Sequence, residues 1–199
     1  WDFTVARKQN DGSVTKEEPF IRPIPENQRQ HTYASLTALF ADEIMNVVHE
    51  YDLMQTPHLP IAISFGFPQT NIRLPNGDID ARLSSRILPK FWQVTDLDES
   101  VPPELQPSLA GMLRDALPQR GLQSIGNIVF VNDTVAVALD VRHQSAERPD
   151  LPVGFVFGTG MNAAVDAKEA AGGKNNGIVN LEVGRAEILP ADRVLQEMQ

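Results

Sequence analysis

Three apolar runs of β-type each end in a polar cluster, and that recurrence constrains the chain more than any other feature. Ile128-Val129-Phe130-Val131 opens into Asn132-Asp133-Thr134. Val153 to Phe157 opens into Gly158-Thr159-Gly160-Met161-Asn162. A third segment reads Val179-Asn180-Leu181-Glu182-Val183-Gly184. An open sheet presents a site in this way, with polar groups gathered at the ends of its strands. The clusters offer a carboxylate, a hydroxyl between glycines, and a second carboxylate. Together they suit a hydroxyl acceptor, a phosphate and a proton acceptor.

The remaining pattern predicts an alternation of strands and helices. Trp1 to Arg7 alternates like a strand, Asn10-Asp11-Gly12 is a turn, and Phe20 to Ile24 returns, which makes a hairpin. Leu36, Leu39, Phe40, Ile44, Val47 and Val48 recur at helical spacing within Tyr33 to Tyr51, with His31-Thr32 as the start. Leu59 to Phe67 reads as a short apolar strand that Pro68 ends. Residues 69 to 103 read as irregular, with a turn at Asn76-Gly77 and an edge strand within Phe91 to Val94. Leu105 to Leu117 is an amphipathic helix, and another runs from Thr134 to about His143. Ala163 to Ala167 returns as a hairpin strand, and 172–177 is a glycine- and asparagine-rich loop. The class is α/β with mixed pairing.

Composition removes several functions. A net charge of −9 argues against a general nucleic-acid or anionic-membrane binder, since either needs a basic face. The absence of cysteine excludes disulfides, thiol catalysis and cysteine metal sites, and fits a reducing compartment. No apolar run approaches the ~20 residues of a membrane span. The opening residues alternate like a strand and not like a signal peptide. His31, His49, His58 and His143 have no metal-ligand spacing, so no protein-held metal is expected.

Phe65-Gly66-Phe67-Pro68, Val131-Asn132-Asp133-Thr134, Gly158-Thr159-Gly160-Met161-Asn162-Ala163 and Asn180-Leu181-Glu182-Val183-Gly184 follow one another in this chain. In order and rough spacing they resemble the hexokinase family, as a divergent member. The resemblance implies a two-lobed actin-like ATPase (ribonuclease H-like) fold with mixed sheets. Residues 1–27 would belong to the large lobe, 28–133 would form the small lobe, and 134–199 would return to an incomplete large lobe. The chain begins inside a strand pattern at Trp1 and stops in a helix-like run at Gln199. With the family's first phosphate loop and its adenosine-binding segment absent from this sequence, it is expected to be an internal fragment, with little or no catalysis alone.

The resemblance also implies roles. Asp133 would be the general base toward the attacking sugar hydroxyl. Asn132, Asn162 and Glu182 would hydrogen-bond the sugar, with Lys90, Phe67 and Pro68 in the same substrate-binding set. Gly158, Thr159 and Gly160 would approach the phosphates of ATP, which carries Mg²⁺ with it. The activity implied is ATP-dependent phosphorylation of a hexose in the cytoplasm, at an entry step of sugar breakdown. A weakly catalytic sugar sensor or regulator, or a hexosamine or polyol kinase of the same fold group, is the alternative. The departures Gly66, Pro89 and Val183 motivate it. The partner expected is a hexose, with no nucleic acid and no membrane; oligomeric state is left open.

Each residue also has a plainer reading. Asn132, Asp133 and Thr134 are all good helix caps, and Asp133 can serve both roles. Gly158-Thr159-Gly160 is equally a tight turn in a hairpin, although glycines do let backbone N–H groups reach a phosphate. Glu182 reads as a solvated strand residue, Lys90 as an exposed lysine beside an edge strand, and Phe91 and Trp92 as packing groups.

Overall fold

The computed structural model describes residues 2–3, 5–9, 11, 13–17, 20–21, 29–64, 66–86, 92–137, 153–157, 161–166 and 178–180. They fall into two compact units, Trp1–Ile63 with Phe67–Phe130, and Ser64–Gly66 with Val131–Gln199.

The first unit opens with four short strands, β1 (Asp2–Phe3), β2 (Ala6–Lys8), β3 (Val14–Lys16) and β4 (Phe20–Ile21). β2 pairs antiparallel with β3 and β1 with β4, so the predicted hairpin is present as two ladders. Asp11 shapes its turn by accepting from the Ser13 N–H at 2.9 Å and the Ser13 hydroxyl at 2.6 Å. β5 (Gln30–His31) leads into α1 (Tyr33–Glu50). Thr32 caps α1, accepting from the Ser35 N–H at 3.1 Å, and Ser35 Oγ accepts from the Thr32 N–H at 2.8 Å. The buried face of α1 is Tyr33, Leu36, Thr37, Phe40, Ala41, Met45 and Val48, the spacing of one helical stripe.

β6 (Leu59–Ser64) is followed by β7 (Gln69–Arg73) and β8 (Ile79–Leu83). The last two form an antiparallel hairpin, so the first part of the stretch expected to be irregular is sheet. Its turn uses Gly77 at φ +92°, a left-handed value that only glycine takes freely. β9 (Gln93–Val94) pairs parallel with β5, which places an edge strand where one was expected. A 3₁₀ turn covers Pro103–Leu105, and α2 is Leu109–Gln119, capped by the Ser108 hydroxyl on the Gly111 N–H at 2.9 Å. The helix therefore starts later than Leu105, and Leu105 itself is 74% exposed. β10 (Ile125–Val131) pairs parallel with β8, and the sheet order is β6-β10-β8-β7.

The core lies where both helices meet this sheet. Leu36, Leu83, Leu97, Leu109, Leu113, Leu117, Leu122, Ile128 and Phe130 are fully buried. Phe40 meets Phe130 edge to face at 6.1 Å, a favoured aromatic geometry. Two buried carboxylates tie β8 to α2. Asp78 accepts from Arg114 at 2.9 and 2.6 Å, from the Ile128 N–H at 2.8 Å and from Asn76 at 2.8 Å. Asp80 accepts from Arg82 and from the Ala110 N–H at 2.9 Å, an otherwise orphan donor of the first turn of α2. Burial opposes the charge of Asp78, but the bonds from Arg114, Ile128 and Asn76 prevail and hold its carboxyl below the ordinary value.

The second unit holds an antiparallel sheet of β11 (Val153–Phe157), β12 (Met161–Asp166) and β13 (Ile178–Asn180), in that order. The expected returning strand near Ala163 is β12, and its Ala163 and Ala164 are buried. A helical turn at 133–137 follows β10 directly. Among the described residues no helix is long and apolar enough to cross a membrane.

Candidate functional site

The site is built where two neighbouring strands of one sheet run out. β6 and β10 lie side by side, and at their start the Leu59 N–H donates to the Ser124 carbonyl at 3.0 Å. Just past their other ends sit Gly66 and Asp133, both in the second unit. Here β10 stops because the chain turns into helix. The Ala136 N–H donates to the Asn132 carbonyl at 2.9 Å, which makes Asn132 the cap residue. Its side-chain Oδ1 then accepts from the Thr134 N–H at 3.0 Å.

The cap and the carboxylate are thus divided between adjacent residues. Asn132 caps, and it is buried to 4% exposure. Asp133 is half-buried, and its Oδ1 accepts from the Thr134 N–H at 2.8 Å and the Thr134 hydroxyl at 3.2 Å. Thr134 is itself fully buried, so the group that holds the carboxylate is fixed by packing. The second oxygen, Oδ2, has no hydrogen-bond partner among the described residues and points toward Gly66. A Cβ placed on Gly66 would stand 2.8 Å from it and 3.2 Å from Cγ. One oxygen is anchored and the other is available, which is the arrangement a carboxylate needs to orient a hydroxyl and take its proton.

The other expected site residues are distributed as follows. Phe67 and Pro68 lie in the first unit. The Phe67 ring packs on Trp92 at 6.1 Å, and Trp92 stacks on His31 at 5.1 Å, so Trp92 is a packing group, as its plainer reading has it. The Pro68 carbonyl accepts from the Ser84 N–H at 3.0 Å. Asn162 is on β12, where its backbone pairs with Val156. Lys90, Gly158, Thr159, Gly160 and Glu182 lie outside the described residues, although Phe157 and Met161, which flank the glycines, are paired as the end of a hairpin.

Thr134 is the residue whose part was not visible in the sequence beyond its capping potential. Its hydroxyl and its N–H both serve Asp133, a use that only the turn geometry exposes. No three His, Asp or Glu side chains gather as metal ligands among the described residues.

Comparisons with known proteins agree on architecture. No protein-family model and no curated protein matches the chain. Solved structures do. A hexokinase from Schistosoma mansoni complexed with glucose is 22% identical, with a TM-score of 0.59 over 84% of this chain and 34% of its own. A second hexokinase structure is 22% identical, with a TM-score of 0.60 over 94% of this chain and 41% of its own. These likenesses show the fold: mixed α/β of the actin-like ATPase type. Within that type the fold is hexokinase-like, and the chain spans less than half the length of either structure.

Proposed function

We propose that this chain is part of an ATP-dependent sugar kinase, which transfers the γ-phosphoryl of ATP to a hexose hydroxyl. The observation that carries the reading is the Asp133 carboxylate, held by Thr134 through Oδ1 and free among the described residues at Oδ2, within a hexokinase-like fold. Phosphoryl transfer asks for in-line positioning, charge neutralisation and a nearby base, and little covalent work from the protein. Asp133 Oδ2 would accept the proton of the attacking hydroxyl. Mg²⁺ would arrive with ATP and neutralise the phosphate charge. Gly158, Thr159 and Gly160 would approach that nucleotide, while Asn162, Glu182 and Lys90 would hold the sugar. A hexose is the substrate class because one of the matching structures is complexed with glucose.

A sugar-binding regulator is the competing reading. One observation favours it: the Asn132 amide oxygen already accepts from the Thr134 N–H in the helix cap, which leaves one lone pair and its NH₂ for a sugar. The retained, half-satisfied Asp133 favours the kinase, since a sensor has no use for a base.

The test is Asp133→Ala in the full-length protein that contains this chain. Turnover should fall ~10²–10⁴-fold, the usual worth of a general base, with the thermal melt unchanged. Near-normal turnover in a folded variant would sink the assignment.

A further inference from the structure

The geometry points to Gly66 as a positioning residue for Asp133: its missing side chain keeps the Oδ2 face of the carboxylate clear for the acceptor hydroxyl. This rests on Asp133 being the base. Three observations carry it. Among the described residues the Asp133 side chain is anchored on one side, through Oδ1 and Thr134. The Oδ2 side is bounded by Gly66, where the smallest possible side chain would already press on Oδ2 at 2.8 Å and on Cγ at 3.2 Å. Gly66 is exposed, and the three atoms nearest to a Cβ placed there all belong to the Asp133 carboxylate.

The consequence follows from which partner yields. The atom in the way is the free end of a side chain and not backbone, so the fold can accommodate a methyl group by swinging the carboxylate about its own torsions. That rotation breaks the bond to the Thr134 hydroxyl, which is already long at 3.2 Å, before it disturbs packing. Substitution at 66 therefore acts on the aim of Asp133 and not on stability. Alanine and serine differ in an informative way. A methyl group displaces Oδ2 and gives it nothing to bond. A serine hydroxyl at the same place can donate to Oδ2 and re-anchor the carboxylate from the other side. The constraint on residue 66 is the carboxylate beside it.

The experiment compares Gly66→Ala, Gly66→Ser and Asp133→Asn in the full-length protein, with Mg·ATP and the best hexose acceptor. Gly66→Ala is expected to lower kcat at least tenfold, to leave KM for Mg·ATP within twofold, and to keep the melting temperature. Gly66→Ser is expected to recover most of kcat, because its hydroxyl supplies a donor to the displaced Oδ2 and re-aims the carboxylate. Wild-type kcat in both Gly66 variants, with Asp133→Asn inactive, would overturn the role of Gly66 while leaving Asp133 as the base. An equal loss of kcat in both variants with a lowered melting temperature would make Gly66 structural and overturn it too. Full activity in Asp133→Asn would instead remove the base assignment on which the inference stands.

Discussion

Asp78 and Asp133 are both aspartates at the start of a regular element, yet their surroundings are opposite. Asp78 is fully buried, and each of its oxygens receives two donors: Arg114 and the Ile128 N–H on one, Arg114 and Asn76 on the other. Asp133 is half-buried and receives both its donors on one oxygen, from one residue. A buried charge is tolerated only when paired and hydrogen-bonded, so Asp78 is committed to holding β8 against α2. A carboxylate with an unanswered oxygen at a strand end keeps its capacity for a ligand. Two identical side chains are thus separated by the number and direction of their donors: one is a fastener, and the other keeps an oxygen without a partner among the described residues.

That contrast can be broken from the Asp78 side. Asp78→Ala strands Arg114 and leaves the Ile128 N–H without its acceptor. The expected loss is about 3 kcal/mol, toward the low end for a broken buried pair because Arg114 stays partly exposed. Denaturant unfolding measures it, and turnover per folded molecule should not change. A stability loss under ~0.5 kcal/mol would place Asp78 among surface substitutions and dissolve the distinction.

Asn132→Ala tests the division of labour beside Asp133. Loss of the cap should lower stability by ~1 kcal/mol, and turnover should fall only modestly, because Thr134 still holds Asp133. A fall in turnover as deep as that of Asp133→Ala would make Asn132 part of the chemistry.

The smallest effect is a pH dependence. The folded Asp78 carboxyl lies below its ordinary value of 3.8, which is the unfolded reference. A depressed value contributes stability that is present above 3.8 and is lost as pH falls through the folded value. The unfolding midpoints of the wild type and Asp78→Asn should therefore converge in acid below that reference. A gap that stays constant through acid would mean that the charge of Asp78 contributes nothing.

The sequence made the reactive region easier to find than the fastening one. Apolar runs ending in Asn132-Asp133-Thr134 and in the glycines after Phe157 follow ordinary strand patterning, and β10 and β11 are where those runs lie. Thr32 and the apolar stripe of α1 were equally plain. β8 was not, although Ile79-Asp80-Ala81-Arg82-Leu83 alternates apolar and polar: the stretch is short, lies between turn signals, and its Asp80 is buried, so the alternation does not separate a core face from a solvent face. Its polar residues make sense only once the Ala110 N–H and the Gln106 carbonyl are in place to bond Asp80 and Arg82. The start of α2 was misplaced by reading Leu105 as apolar helix face, when Pro107 followed by the Ser108 cap marks the boundary. The anchoring of Asp133 by Thr134, and the closeness of Gly66, depend on two strand ends meeting across 67 residues of sequence, a juxtaposition that local patterns do not carry.

The central claim is that this site belongs to a working sugar kinase. The most direct measurement is Mg·ATP-dependent ADP release by the full-length protein, with glucose, mannose, fructose, glucosamine and N-acetylglucosamine offered in turn. The account predicts sugar-dependent turnover with at least one of them, and formation of the matching sugar phosphate. Sugar binding seen by calorimetry, with no turnover from any of the five in a folded protein, would contradict it and leave the regulator.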